Sequence, residues 1–231
     1  MKVIGLIGGM SWESSAEYYR IINEEVKRRL GGLRSGKILM YSVDFHEIEE
    51  LQHEGRWEEA TELMIDAAKR IEKGGADFLL ICTNTMHKMA PDVQKAVNIP
   101  LLHIADATGE QIKSLGIQKV GLLGTKYTME QDFYKGRLVS KHSLDVVVPE
   151  EGDRNIIHEV IYEELCLGVI LEKSKNEFCR IINSLAKQHA EGIILGCTEI
   201  SLLIKQTDSM LPLFDTTEIH AQKAVEFALR E

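Results

Sequence analysis

Residues 75–85 read GADFLLICTNT, and 114 positions later residues 189–199 read HAEGIILGCTE. Laid on each other without a gap, Ala76–Asp77 falls on Ala190–Glu191, the apolar runs coincide, and both end in a small polar cluster. A short, continuous apolar run of this kind reads as a buried strand of a parallel sheet covered on both faces. Two further landmarks repeat at nearly the same offset. KVIGLIGG (2–9) matches KVGLLGT (119–125), with Gly5 on Gly121 and Gly8 on Gly124, 116 apart; Pro100 and Pro212 each open a short apolar run, 112 apart. Landmarks repeating in order at so long a period indicate duplicated lobes, not a solenoid.

Working outward, apolar runs at 2–8, 38–43, 77–83, 100–104, 119–124, 145–149, 192–197 and 212–214 read as strands. Between them, apolar residues recur at three- and four-residue steps over 13–30, 56–74, 105–115, 127–140, 153–166, 172–189 and 215–229, which predicts helices. Strands alternating with helices give an α/β fold class: two pseudo-symmetric parallel-sheet lobes. We expect the first lobe over 1–100, joined by a C-terminal helix at 215–231, and the second over 101–214. Ligands of open parallel sheets bind beyond the carboxyl ends of the strands. The expected active site is therefore the cleft between the lobes, where the ends of strands 77–83 and 192–197 approach each other.

The totals narrow the function. A net charge of −9 over 231 residues, with no basic patch interleaved with aromatics, argues against nucleic acid as a partner. An acidic chain can still hold an acidic small molecule locally, through backbone N–H groups at helix starts. The opening MKVIGLIGGM is too short and glycine-broken for a signal peptide. No apolar run approaches the roughly 18 residues of a membrane span, so the expectation is a cytoplasmic protein without membrane contact. The four cysteines, Cys82, Cys166, Cys179 and Cys197, form no CxxC and no zinc spacing. No metal site is expected, and the thiols read as reduced.

Several motifs fail on spacing. The first loop, Gly5-Leu-Ile-Gly8-Gly9-Met10, lacks G-x-G-x-x-G and is not a dinucleotide fingerprint. Gly8 and Gly9 still let the backbone approach a ligand, or simply make a tight strand-to-helix turn. His46–Glu47 is not HExxH because Glu50 stands where the second His belongs, and after His158–Glu159 position 162 is Tyr. His87 either touches a ligand or is an ordinary early helix residue. Cys166 and Cys179 lie in helical patterns, where packing is the ordinary role of a free cysteine.

The gapless alignment sets Thr83, not Cys82, opposite Cys197. Alternation along a strand turns Cys82 to the other side, into the surroundings of the strand, and leaves Thr83 for the cleft, although a threonine there can also be only a helix cap. Cys197 is the stronger candidate. It ends a strand, and Cys197–Thr198–Glu199 opens a helix-like segment whose N-terminus would lower a thiol pKa.

Taken in order, GLIGGMSWES, SVDFHEIE, CTNTMH, LHIADAT, LLGTKYTMEQDFY and GCTEI resemble the aspartate/glutamate racemase family over essentially the whole chain. The resemblance implies an isomerase, a racemase of aspartate or glutamate that needs neither pyridoxal phosphate nor any other cofactor, usually a homodimer of two-lobed subunits. It implies catalytic residues on opposite faces of the substrate, here Thr83 and Cys197. By the same resemblance, Met10 (through its backbone), Gln52, Asn84, Thr85, Thr125, Thr198 and Glu199 bind the small acidic amino acid. The departure is Thr83, which stands where the family's first motif has a cysteine; it implies unequal handling of the L and D substrates. Two other readings remain: a cofactor-free decarboxylase of arylmalonate type using the single cysteine, and a non-catalytic sensor of an acidic ligand.

Overall fold

The computed structural model describes residues 1–230; the last position of the helix expected at 215–231, Glu231, lies outside the described residues. The chain separates into two compact units. One comprises Met1–Ile104 with the C-terminal segment from His220, and the other Ala105–Ile219.

The first unit runs β1 (Ile4–Gly8), α1 (Trp12–Leu30), β2 (Ile38–Ser42), α2 (Phe45–His53), α3 (Trp57–Lys73), β3 (Phe78–Ile81) and α4 (Ala90–Ala96). Its parallel sheet has the order β2-β1-β3, with Gly5 level with Leu79 and Ile7 with Ile81. Alternation sorts each strand into two cores. Ile4, Leu6, Phe78, Leu80 and Cys82 pack with Tyr18 and Ile22 of α1 and with Ala221, Ala224 and Val225 of the C-terminal segment. Ile7, Leu79 and Ile81 pack on the other face with Ile48, Met64, Ala67 and Ile71 from α2 and α3. α1 starts where it does because Ser11 accepts the Ser14 N–H on its hydroxyl, and it ends at Gly31 behind Lys27, Arg28 and Arg29.

The second unit takes in α5 (Ile104–Ser114) beyond its first residue, which belongs to the first unit, then β4 (Lys119–Gly124), α6 (Lys126–Glu130), α7 (Lys135–His142), β5 (Asp145–Val147), α8 (Glu151–Glu163), α9 (Glu172–Lys187), β6 (Gly192–Gly196), α10 (Ile200–Leu203), β7 (Leu213–Asp215) and the start of α11 (Thr216–Leu229). The sheet order is β5-β4-β6-β7, all parallel. Gly121 lies level with Ile193, the pair that corresponds to Gly5 and Leu79. The repeat thus extends to strand register, and it has a steric cause. A Cβ on Gly5 would lie 2.5 Å from Ile71 of α3, and one on Gly121 would lie 2.8 Å from Leu185 of α9. Each lobe needs a glycine there so that a helix can settle onto its central strand.

Three sequence expectations are corrected. Residues 100–104 form no strand: Leu101 makes a single bridge to Leu79 before α5 begins at Ile104. The helix expected over 127–140 is two helices, α6 and α7, broken between them. The one expected over 153–166 ends at Glu163, so that Cys166 sits in a separate 3-10 turn, Leu165–Leu167. Two short helices, α2 and α4, escaped the periodicity reading because each presents only two or three buried residues.

Candidate functional site

In the first unit the strand ends converge on one edge of the sheet. After β1, Gly9 has φ +95° and its added Cβ would collide with the Val43 carbonyl beyond β2. Its N–H donates to the Ser15 hydroxyl at 2.7 Å, and that hydroxyl donates on to the Ser11 carbonyl at 2.9 Å. These contacts explain Gly9 as a tight strand-to-helix turn, with Met10 buried directly after it. After β3, Cys82 donates its N–H to the Ile7 carbonyl, and its own carbonyl accepts the Ser14 hydroxyl at 3.0 Å. Its side chain is fully enclosed by apolar neighbours, and that burial pushes the thiol far up from its ordinary value.

Thr83 is half-buried, while Asn84 and Thr85 are buried. A short 3-10 turn, Thr85–Met89, follows them. Gln52, buried on α2, donates its amide to the Met86 sulfur at 3.0 Å and so reaches this same turn. Lys88 lies 3.9 Å from the centre of the Trp57 ring, a cation–π contact at the start of α3. Met10, Gln52, Thr83, Asn84 and Thr85 thus all belong to the carboxyl edge of one sheet.

The second unit repeats this arrangement with different chemistry. Gly124 and Gly196 lie level at the ends of β4 and β6. Thr125, directly after Gly124, caps α6 by accepting the Thr128 N–H, and is buried. Cys197, directly after Gly196, is half-buried and donates its S–H to a Glu199 carboxylate oxygen at 2.9 Å. Thr198 shares a hydrogen bond of 3.0 Å with Thr217, the second residue of α11. Thr217 was not among the residues singled out from the sequence; its signal is its place at a helix start directly beyond Asp215, whose carboxylate caps the Thr217 N–H at 2.9 Å.

The expectation of a lowered Cys197 pKa does not hold. Burial pushes the thiol well above its ordinary value, and the electrostatic influence of the neighbouring Glu199 and Cys166 adds to the push. The physical reason is local. Burial is the largest cause; the helix that follows is the single turn Ile200–Leu203, too short for a useful dipole to offset it, and the Glu199 carboxyl group lies against the thiol. Cys166 is therefore an electrostatic neighbour of Cys197 rather than a core residue, and it is half-buried. Cys179 is half-buried as well, its thiol 3.8 Å from the Asp208 carbonyl. Among the described residues, no group of three or more His, Cys, Asp and Glu is placed to hold a metal ion, and no helix is long and apolar enough to cross a membrane.

Two parallel sheets built to one plan, each ending in a polar turn and one of them carrying a thiol hydrogen-bonded to a carboxylate, define a duplicated α/β protein with polar side chains gathered at the strand ends. Comparison with known proteins gives the class a name. The sequence model of Asp/Glu/Hydantoin racemase matches residues 7–224. A protein of Yersinia pestis assigned as an Asp/Glu racemase has a crystal structure that superposes with a TM-score of 0.94 at 56% identity, all of both chains being covered. An aspartate racemase homologue from Pyrococcus horikoshii superposes with a TM-score of 0.85 at 39% identity, again over both whole chains. The broad specificity amino-acid racemase RacX of Bacillus subtilis is 23% identical over 96% of each chain. The chain belongs to the Asp/Glu/Hydantoin racemase family.

Proposed function

We propose that the chain is a cofactor-independent racemase of acidic amino acids, aspartate or glutamate, with Cys197 and Thr83 addressing opposite faces of Cα. The observation that carries this reading is the hydrogen bond from the Cys197 thiol to Glu199 at the end of β6, in a chain that the family model matches over residues 7–224. Inverting one carbon needs a base on one face and an acid on the other. Cys197 rests protonated, and Glu199 is the acceptor within reach of its proton. Transfer to Glu199 leaves a thiolate, which takes the α-proton; the Thr83 hydroxyl then protonates the carbanion from the other face, and its alkoxide regains a proton from water as Glu199 releases its own. The hydroxyl of Thr83 can give a proton to a carbanion more basic than its own alkoxide, but it is poorly suited to taking one, because near neutrality almost none of it is present as the alkoxide. The enantiomer whose α-hydrogen faces Cys197 is therefore the better substrate, and activity on L and D forms is unequal.

Without an electron sink, the carbanion beside the carboxylate must be stabilised by hydrogen-bond donors. The Met10 backbone, Gln52, Asn84, Thr85, Thr125 and Thr198 supply such donors in this reading, and Glu199 also orients the ammonium group. The working form is a cytoplasmic homodimer, which light scattering would register as twice the 26.1 kDa chain mass.

The deciding test is exchange of the α-hydrogen of each enantiomer of aspartate and glutamate in D₂O. Exchange is expected, and Cys197→Ala should reduce it at least about a hundredfold. No exchange with either amino acid would end this reading, and carbon dioxide release from a substituted malonate in its place would make the chain a decarboxylase.

A further inference from the structure

His87 is almost fully buried beneath the turn that carries Thr83, and both of its ring nitrogens are engaged. Nδ1 lies 2.7 Å from the Thr83 carbonyl oxygen, which can only accept. Nε2 lies 3.2 Å from the Ile104 backbone N–H, which can only donate. The two partners together fix the ring as neutral, with its proton on Nδ1. The ring is also held from its sides, its centre 4.5 Å from that of His103 and 5.8 Å from that of His220. His220 is anchored in turn, between the Tyr18 hydroxyl at 2.8 Å and the Leu102 carbonyl at 2.9 Å. The Thr83 carbonyl is thus pinned by a side chain that cannot easily shift or turn.

We propose that His87 is a positioning residue for Thr83: through its Nδ1–H it sets the height and direction of the turn Thr83–Asn84–Thr85, and through Nε2 it ties that turn to the start of α5. The inference rests on the reading of Thr83 and Cys197 as the groups on the two faces of Cα. A catalytic hydroxyl on a strand-end turn needs such support, because a displacement of about an ångström weakens proton transfer severely.

Two isosteric variants separate the two bonds. In His87→Asn the amide N–H₂ falls near the Nδ1 position and keeps the donor to the Thr83 carbonyl. In His87→Gln the amide reaches only the Nε2 position and that carbonyl loses its donor. The measurement is α-hydrogen exchange in D₂O for each enantiomer, taken as the ratio of the rate for the enantiomer facing Thr83 to that for the one facing Cys197. His87→Gln should lower this ratio about tenfold, while His87→Asn should keep it within about twofold. An unchanged ratio in His87→Gln, or an equal change in both variants, overturns the proposal, since a merely structural histidine would slow both faces alike. Should His87→Gln not fold, a ratio altered in His87→Asn overturns it and a preserved one supports it. Wild-type protein that exchanges neither enantiomer would instead refute the racemase reading itself.

Discussion

Cys82 and Cys197 close two matching phrases, yet they meet opposite surroundings. Cys82 is enclosed by Leu6, Tyr18, Leu80 and Ala221, whereas Cys197 donates a hydrogen bond to a carboxylate. A hydroxyl in place of the first thiol would be an ill-matched polar group in an apolar core. Cys82→Ser should therefore cost about 1–3 kcal/mol in urea unfolding and leave the exchange rates of the surviving folded protein within about twofold. A loss of exchange as deep as that of Cys197→Ala would assign the chemistry to Cys82. For Cys197 the sign follows from its neighbours. The Glu199 charge and the bond it accepts both favour the protonated thiol, so Glu199→Gln should move the thiol titration to lower pH, as followed by thiolate absorbance. A midpoint that stays put or rises would show that Glu199 does not govern the thiol. Alternation along β3 was enough to separate Cys82 from Thr83 on paper. It could not give the state of Cys197, which depends on where the Glu199 carboxylate turns and on Cys166, 31 positions earlier in the chain.

At the scale of elements, the repeated glycines carry a graded prediction. An added Cβ at Gly5 meets the Phe78 carbonyl oxygen at 2.8 Å as well as Ile71, while at Gly121 it meets only side-chain atoms of Ile193 and Leu185. Side-chain ends can move aside and backbone in a central strand cannot. Gly5→Ala should cost about 1–3 kcal/mol, and Gly121→Ala less, by chemical denaturation of each. Equal losses, or the reverse order, would contradict this account of how α3 and α9 seat on their strands. The central strands were legible because continuous apolar runs between glycines admit few other readings. Pro100–Ile104 misled because Leu101 meets only one neighbour, Leu79, and a run with a single bridge has the composition of a strand without its ladder. The break between α6 and α7 lay hidden because each carries apolar residues in helical register up to the interruption.

For the molecule as a whole, stability against acid has an identifiable contributor. Burial alone would raise the Asp106 carboxyl, but bonds from Arg137 at 2.6 Å, from Lys141 and from His142 outweigh it and hold the group well below the usual carboxylate range. A carboxylate lowered in the folded state stabilises the fold above its unfolded pKa, and that contribution is lost as pH falls through the folded value. Asp106→Asn should therefore cost on the order of 3 kcal/mol near neutrality, and its deficit against the wild type should shrink below about pH 4. A deficit that did not vary with pH would place the effect in packing. The −9 charge carries a prediction at the same scale: no retention of duplex DNA at low salt in a mobility-shift assay. By itself the sequence determined the duplicated α/β plan, its central strands, and the match of Thr83 with Cys197, because these rest on periodicity and repetition along the chain. Only the tertiary structure decided that Cys197 rests protonated against Glu199, that Thr217 stands beside Thr198, and that His87 holds the Thr83 carbonyl. Protonation, tautomer and side-chain direction are set by the nearest neighbours in space, and several of these are distant in sequence.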